Sequence, residues 1–162
     1  MKIRRAGVGD AAQHASQMRV VVDEERWLAT QSDRTVEQLT EMFRSGLEEG
    51  HLLFVLEDER RIVGAAGIHP THVGGVHSLG MWILPEYRGK GSGRGLVEAA
   101  LEAARAEGVR KVELDVFPDN GPAIALYASM GFEVEGLRRD HYPRLDGSLR
   151  SVLIMARFLA ED

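Results

Sequence analysis

The segment Leu84-Pro85-Glu86-Tyr87-Arg88-Gly89-Lys90-Gly91-Ser92-Gly93-Arg94-Gly95-Leu96 gathers four glycines and three cations between an apolar run and a helical pattern. Glycine takes positive φ without a Cβ penalty and lets a backbone come close to a ligand. The amides that open the following helix have no partner within it, and with the helix dipole they form an anion site. Arg88, Lys90 and Arg94 add positive charge, so a polyphosphate is the expected guest. Two familiar phosphate loops fail on spacing. A G-x-G-x-x-G run begun at Gly89 ends on Arg94, and one begun at Gly91 ends on Leu96. A Walker loop requires Ser or Thr directly after Gly-Lys, whereas Gly91 follows Lys90. The pattern that does fit is Arg-x-x-Gly-x-Gly, carried by Arg88, Gly91 and Gly93.

Other chemistry is narrowed by composition. The chain has no cysteine, which removes disulfides, thiolate metal sites and a cysteine nucleophile. His69, His72 and His77 lack the cysteine or carboxylate spacing of zinc sites and read as histidines on a hairpin surface, so no metal is expected. At 44% hydrophobic and 28% charged residues the chain is ordinary for a globular protein. A net charge of −5 speaks against a nucleic-acid partner and suits a cationic acceptor. No apolar run follows the charged start Met1-Lys2-Ile3-Arg4-Arg5, and none is long enough for a membrane span, so a cytoplasmic protein without a membrane partner is expected.

These residues need a scaffold, and the chain spells out one domain over 1–162 with no repeats or linkers. A strand is expected over Ile3–Ala6, then a helix capped by Asp10 and reaching Glu25, with Ala11, Ala15, Met18 and Val22 on one face. Thr35-Val36-Glu37-Gln38 has the capping-box pattern and starts a second helix that ends at Gly50. His51–Glu57 and Arg61–Ile68 form a hairpin, and Val76–Leu84 follows the Gly74-Gly75 turn. The order then changes. A helix over Gly93–Glu107 ends at Gly108, and a strand over Val112–Phe117 alternates apolar and polar residues. Asn120 caps a helix with Pro122 in its first turn, closed by Gly131. Strands over Phe132–Arg138 and Leu149–Phe158 complete the chain. An antiparallel meander running into a βαβ unit makes a mixed α/β sheet with helices on both faces.

In that order of elements the glycine-rich segment resembles the pyrophosphate-binding motif of the GNAT superfamily of N-acetyltransferases. Downstream, Asn120-Gly121-Pro122-Ala123-Ile124-Ala125-Leu126-Tyr127-Ala128-Ser129-Met130-Gly131-Phe132 is similar to the family's Asn-x-x-Ala-x-x-Leu-Tyr-x-x-x-Gly-Phe run. The likeness extends from Arg4 to Arg157. It implies the GNAT fold, a mixed sheet of about seven strands with about four helices and two central parallel strands that splay apart. It also implies acetyl-CoA as co-substrate, lying where Val76–Leu84 and Val112–Phe117 diverge. Backbone groups of Met81, Trp82 and Ile83 would bond the pantetheine like an added strand. The amides of Arg88, Gly89, Lys90, Gly91, Ser92, Gly93 and Arg94 would hold the pyrophosphate, and Asn120 would touch the cofactor arm from the other wall.

The reaction implied is direct attack of an amine on the thioester, aided by an acid for the thiolate and a base for the amine. Tyr127 matches the family's usual acid. Asp115 matches the position of a glutamate base in ribosomal-protein N-terminal acetyltransferases, although its shorter side chain suggests transfer through water. Glu24, Glu25, Trp27, His77 and Tyr142 are the candidates for the acceptor pocket. The segment from Glu135 to Gly147 is similar both to ribosomal-protein alanine acetyltransferases and to bacterial acyltransferases of amino acids and other small molecules. Val20–Thr35 leans toward the second group, whereas Ser151 stands where that group usually has an acidic residue. A small-molecule amine or amino acid is therefore the expected acceptor. A protein N-terminus, or a sensor that binds acetyl-CoA without turnover, remains the alternative. The family likeness also suggests a homodimer, with no interface marked in the sequence.

Overall fold

The computed structural model describes residues 1–159; residues 160–162 of the expected domain lie outside those described. The strands and helices are β1 Lys2–Arg5, α1 Ala11–Val22, α2 Val36–Glu48, β2 Leu52–Asp58, β3 Arg61–Pro70, β4 Val76–Ile83, α3 Ser92–Ala106, β5 Lys111–Val116, α4 Gly121–Ser129, β6 Glu133–Pro143 and β7 Leu149–Phe158. This is the order of elements expected from the sequence. One seven-stranded sheet runs β1-β2-β3-β4-β5-β7-β6. Its pairings are antiparallel except β4 with β5, which is the mixed sheet anticipated from the meander and βαβ unit.

Helix α2 begins as its capping box requires. Thr35 Oγ1 accepts from the Gln38 amide at 3.1 Å, and Gln38 Oε1 accepts from the Thr35 amide at 2.8 Å. Helix α3 buries Leu96, Val97, Ala100, Leu101 and Ala104 along one stripe, against β2 and β3. Each fully buried leucine there contributes about 1.5–3 kcal/mol. Helix α1 lies on the opposite face of the sheet. Its His14 Nε2 accepts from Trp82 Nε1 at 3.1 Å, whereas the neighbouring strand residues Met81 and Ile83 pack toward Gly93 of α3. Successive strand residues point to opposite faces, so those contacts place α1 and α3 on the two sides of β4.

Element ends shift from expectation by a residue or two in several places, and three differences are more than that. Asp10 does not cap α1: its carboxylate accepts from the Gly7 amide at 2.8 Å and pairs with Arg4 at 2.8 Å. Helix α1 ends at Val22 rather than Glu25: the amides of Glu24 and Glu25 bond back only three residues, to Val21 O and Val22 O, and Glu25 takes φ +49, which breaks the right-handed helix. Strand β6 continues past Arg138 to Pro143 through a register irregularity, where Asp140 adopts φ +48 and its amide donates to Ser151 Oγ at 3.0 Å. The bulge breaks the alternation by which the sequence would mark a strand. Among the described residues no helix is long and apolar enough to cross a membrane.

Candidate active site

A gap opens in the centre of the sheet. β4 and β5 pair only from Val76–Ser78 to Lys111–Glu113. Beyond that, β4 stays bonded to β3 as far as Ile83, and β5 to β7 as far as Val116, so their facing edges are left without a ladder. The Leu84 amide donates to Val63 O at 2.9 Å on the β3 side. Backbone groups alternate along a strand, so Trp82 also bonds toward β3 and those of Met81 and Ile83 point into the gap. Of the three residues singled out on this strand, Met81 therefore has both backbone groups free for a ligand and Ile83 its amide, the Ile83 carbonyl being taken by Arg88 Nε.

The glycine-rich segment lies at the mouth of the gap, and its four glycines have two different reasons. Gly89 and Gly91 adopt φ +72 and +79, with open space where a Cβ would be. Gly93 and Gly95 are needed for close packing: a Cβ would meet Leu126 Cδ2 at 3.2 Å and Ile3 Cδ1 at 2.7 Å respectively. Gly91 starts α3 with no side-chain cap, which leaves the first-turn amides from Ser92 onward available to an anion.

The side chains before those glycines are tethers. Glu86 pairs with Arg61 at 3.4 Å, and the Tyr87 hydroxyl donates to Asp58 at 3.0 Å. Arg88 donates from Nε to Ile83 O at 2.9 Å, and from Nη1 and Nη2 to both oxygens of Glu24 at 3.0 and 2.6 Å. Its charge is thus neutralised within the protein rather than left for a phosphate. Arg94 is held by Ser129 at 2.6 Å and Glu98 at 3.7 Å. Lys90 lies 5.2 Å from the Tyr87 ring centroid and has no carboxylate partner among the described residues.

Tyr127 and Asn120 occupy α4, across the gap. Asn120 Oδ1 accepts from the Ala123 amide at 3.3 Å, so this side chain caps the helix. Tyr127 is buried with its ring 5.6 Å from that of Phe132, and burial pushes its pKa up to about 12. Its hydroxyl makes no hydrogen bond to the described residues.

On the face that carries α1 and α2, Asp115 of β5 accepts from the Tyr142 hydroxyl at 2.6 Å, with Arg138 at 3.6 Å. Burial, then the bond to Asp115, pushes Tyr142 up to about 12. Tyr142 also forms one wall of a recess of about 590 Å³, whose other walls are Ala29–Gln31, Asp33 and Arg34 of the α1–α2 connection with Gln38 and Met42 of α2.

The remaining candidates divide. Glu24 is engaged by Arg88, and Glu25, at φ +49, accepts from Ser32 Oγ. Trp27 lies in the same connection, with the Arg26 guanidinium 4.2 Å from its ring centroid. His77 is not brought to them: it sits where β4 and β5 are still paired, on the strand face of Met81 and Ile83, with Nδ1 enclosed and unpartnered. No group of three or more histidine, cysteine or acidic side chains is placed to hold a metal among the described residues.

Sequence reasoning missed the arginines that fasten the α1–α2 connection beside the recess. Arg144 is buried and donates to Leu28 O at 3.1 Å. Arg150 donates to Arg26 O and Asp119 at 2.7 Å each, with its guanidinium 3.9 Å from the Phe117 ring centroid. The density of arginines between Arg138 and Arg150 was the available signal. Also missed was His14, whose pKa burial lowers to about 4, leaving a neutral ring to accept from Trp82.

This geometry has counterparts among known proteins. The sequence is 44% identical over 92 residues to the N-alpha-acetyltransferase RimI of Mycobacterium tuberculosis, covering 54% of each chain. It is 40% identical over 72 residues to the [ribosomal protein bS18]-alanine N-acetyltransferase of Escherichia coli (strain K12), covering 44% of this chain and 48% of that one. The chain thus spans about half the length of the curated relatives it matches. Its fold matches that of a phosphinothricin acetyltransferase from Sinorhizobium meliloti solved in complex with AcCoA, with a TM-score of 0.87, 22% identity, and coverage of 99% of this chain and 89% of that one. The family model described as Acetyltransferase (GNAT) family matches residues 19–132, which include the splayed strands, the glycine turn and α4. By that match the chain belongs to the GNAT family of acetyltransferases.

Proposed function

We propose that this protein transfers the acetyl group of acetyl-CoA to the primary amine of a small molecule or amino acid. The observation that carries the reading is the open edge of β4 leading to the uncapped N-terminus of α3. An extended pantetheine amide chain matches the free amide and carbonyl of Met81 and the free amide of Ile83 as an added strand. A pyrophosphate matches the amides from Gly89 to Arg94, with Lys90 as the nearby cation and Asn120 on the opposite wall. Arg88 and Trp82 support this arrangement from behind, through the contacts already described.

In the transfer, a carbon–nitrogen bond forms and the carbon–sulfur bond breaks. The amine must lose a proton, and the departing thiolate must be stabilised. Asp115 takes the amine proton through the Tyr142 hydroxyl, which accepts it as it passes its own proton to the carboxylate. A phenol raised to about 12 stays protonated at neutral pH, so Tyr127 is a donor to the developing thiolate. A thiol is normally the stronger acid, near 8.5, so hydrogen bonding is the larger part of that role. The recess beside Tyr142 has the size of a small-molecule site, and Ala29, Thr30 and Gln31 of the α1–α2 connection border it; Glu25 and Trp27 precede them in the same connection.

A second reading is favoured by the names of the two relatives: the acceptor is a protein N-terminus, reached across the same recess. CoA thiol release from acetyl-CoA, measured over amino acids, polyamines, aminoglycosides and short peptides, separates the two. Release with one free amine class supports the first reading, and release with peptides alone supports the second. Saturable acetyl-CoA binding without release for any acceptor, equally in Tyr127→Phe, would make the protein a sensor.

A further inference from the structure

The ion pair between Glu24 and Arg88 joins two regions that transfer chemistry would use separately. Arg88 opens the Arg-x-x-Gly-x-Gly pattern. Glu24 lies just past α1, at the start of the connection that walls the recess beside Tyr142. The contact is bidentate, 3.0 and 2.6 Å to the two carboxylate oxygens, and a fork of this kind fixes orientation as well as distance. The same guanidinium donates from Nε to Ile83 O, a carbonyl on the open edge of β4. One planar group therefore touches the proposed pantetheine edge, the start of the glycine turn and the acceptor-side connection.

That connection is fastened along its length. Arg150 holds Arg26 O, Arg144 holds Leu28 O, and Arg19 holds Arg34 O at 2.7 Å. Glu24 is its only side-chain fastening to the glycine turn among the described residues. The others tie it to β7, the β6–β7 turn and α1. A shift of Arg88 on cofactor binding would be felt at the recess through Glu24 before any other contact.

We propose that Glu24 is a positioning residue that couples the two substrate sites: through Arg88 it holds the glycine turn in its cofactor-binding form and sets the α1–α2 connection against the acceptor. This rests on the reading that the turn takes the pyrophosphate of acetyl-CoA. It reverses the expectation that Glu24 attracts a cationic amine, since its carboxylate is already matched.

The test uses CoA affinity by titration calorimetry and the KM of the best amine at low and saturating acetyl-CoA. In the wild type the amine KM falls as acetyl-CoA rises. Glu24→Ala weakens CoA binding about fivefold and removes that dependence, a factor at the lower end of measured couplings between sites. Arg88→Glu alone does at least as much harm, and Glu24→Arg combined with Arg88→Glu recovers most of the CoA affinity. Unchanged CoA affinity in Glu24→Ala with only a raised amine KM would overturn the proposal and return Glu24 to the acceptor. Failure of the double exchange to improve on either single change would also overturn it. If wild-type protein fails to bind CoA saturably, the underlying functional reading fails instead, and the two failures are told apart by that one control.

Discussion

The proposed cofactor side and the proposed acceptor side of the site are built by different means. The first is a backbone site: two glycines with positive φ, an uncapped helix start and an unpaired strand edge, drawn from β4, α3 and the short turn between them. The second is made of side chains from distant segments, with Tyr142 of β6 reaching Asp115 of β5 and Arg144 reaching Leu28, 116 positions away in the chain. A backbone site tolerates most side-chain changes but not a change in φ. A side-chain site can alter its guest by single substitutions. On the proposed reading, the first construction suits an invariant phosphate ligand and the second a changeable acceptor.

Substitutions on the two sides should separate accordingly. Gly91→Glu should have the largest effect, a loss of CoA affinity of at least about 1,000-fold by calorimetry. A side chain at φ +79 is strained and the carboxylate repels phosphate, whereas a Cβ there meets no neighbour. Retained affinity would break the assignment of the turn. Tyr127→Phe should lower kcat about 100-fold with CoA affinity unchanged, as expected for loss of a positioned proton donor. Equal turnover would remove Tyr127 from the chemistry. Arg144→Ala should raise the amine KM about 10-fold while sparing CoA affinity, because it frees Leu28 O and leaves that wall of the recess unsupported. A matching loss of CoA affinity would erase the distinction between the sides.

The effect that bears least on the two sides, because it is read in stability alone, concerns His14, beneath the face of β4 that carries α1. Its pKa is about 4 when folded, against an ordinary 6.5. Below pH 6.5 the unfolded chain takes a proton that the native ring refuses. Stability should therefore fall as pH drops from 6.5 toward 4, by about 3 kcal/mol in all. Urea melts at pH 7 and pH 5 measure this. His14→Gln should flatten the pH dependence, and an unchanged slope would assign the acid lability to other groups.

The legible parts of the sequence were local. Thr35 and Gln38 mark their helix start because both partners lie within one turn. The Gly89 to Gly95 spacing marks a glycine turn into an uncapped helix because the residues involved are neighbours in the chain. Sequence did not reveal that Gly93 and Gly95 answer to Leu126 and Ile3, or that His77 faces away from Tyr142. Nor did it show β7 inserted between β5 and β6, or β6 running on through a bulge.

By itself, then, the amino-acid order determined the elements, their sequence along the chain and the backbone character of the glycine turn, since capping, periodicity and positive φ act over a few residues. Tertiary structure alone decided which charges are spent and which remain free. Arg88 and Glu24, 64 positions apart, could each be read as binding a substrate until folding brought them within 2.6 Å. A charge's partner is set by three-dimensional distance, and no local pattern encodes it.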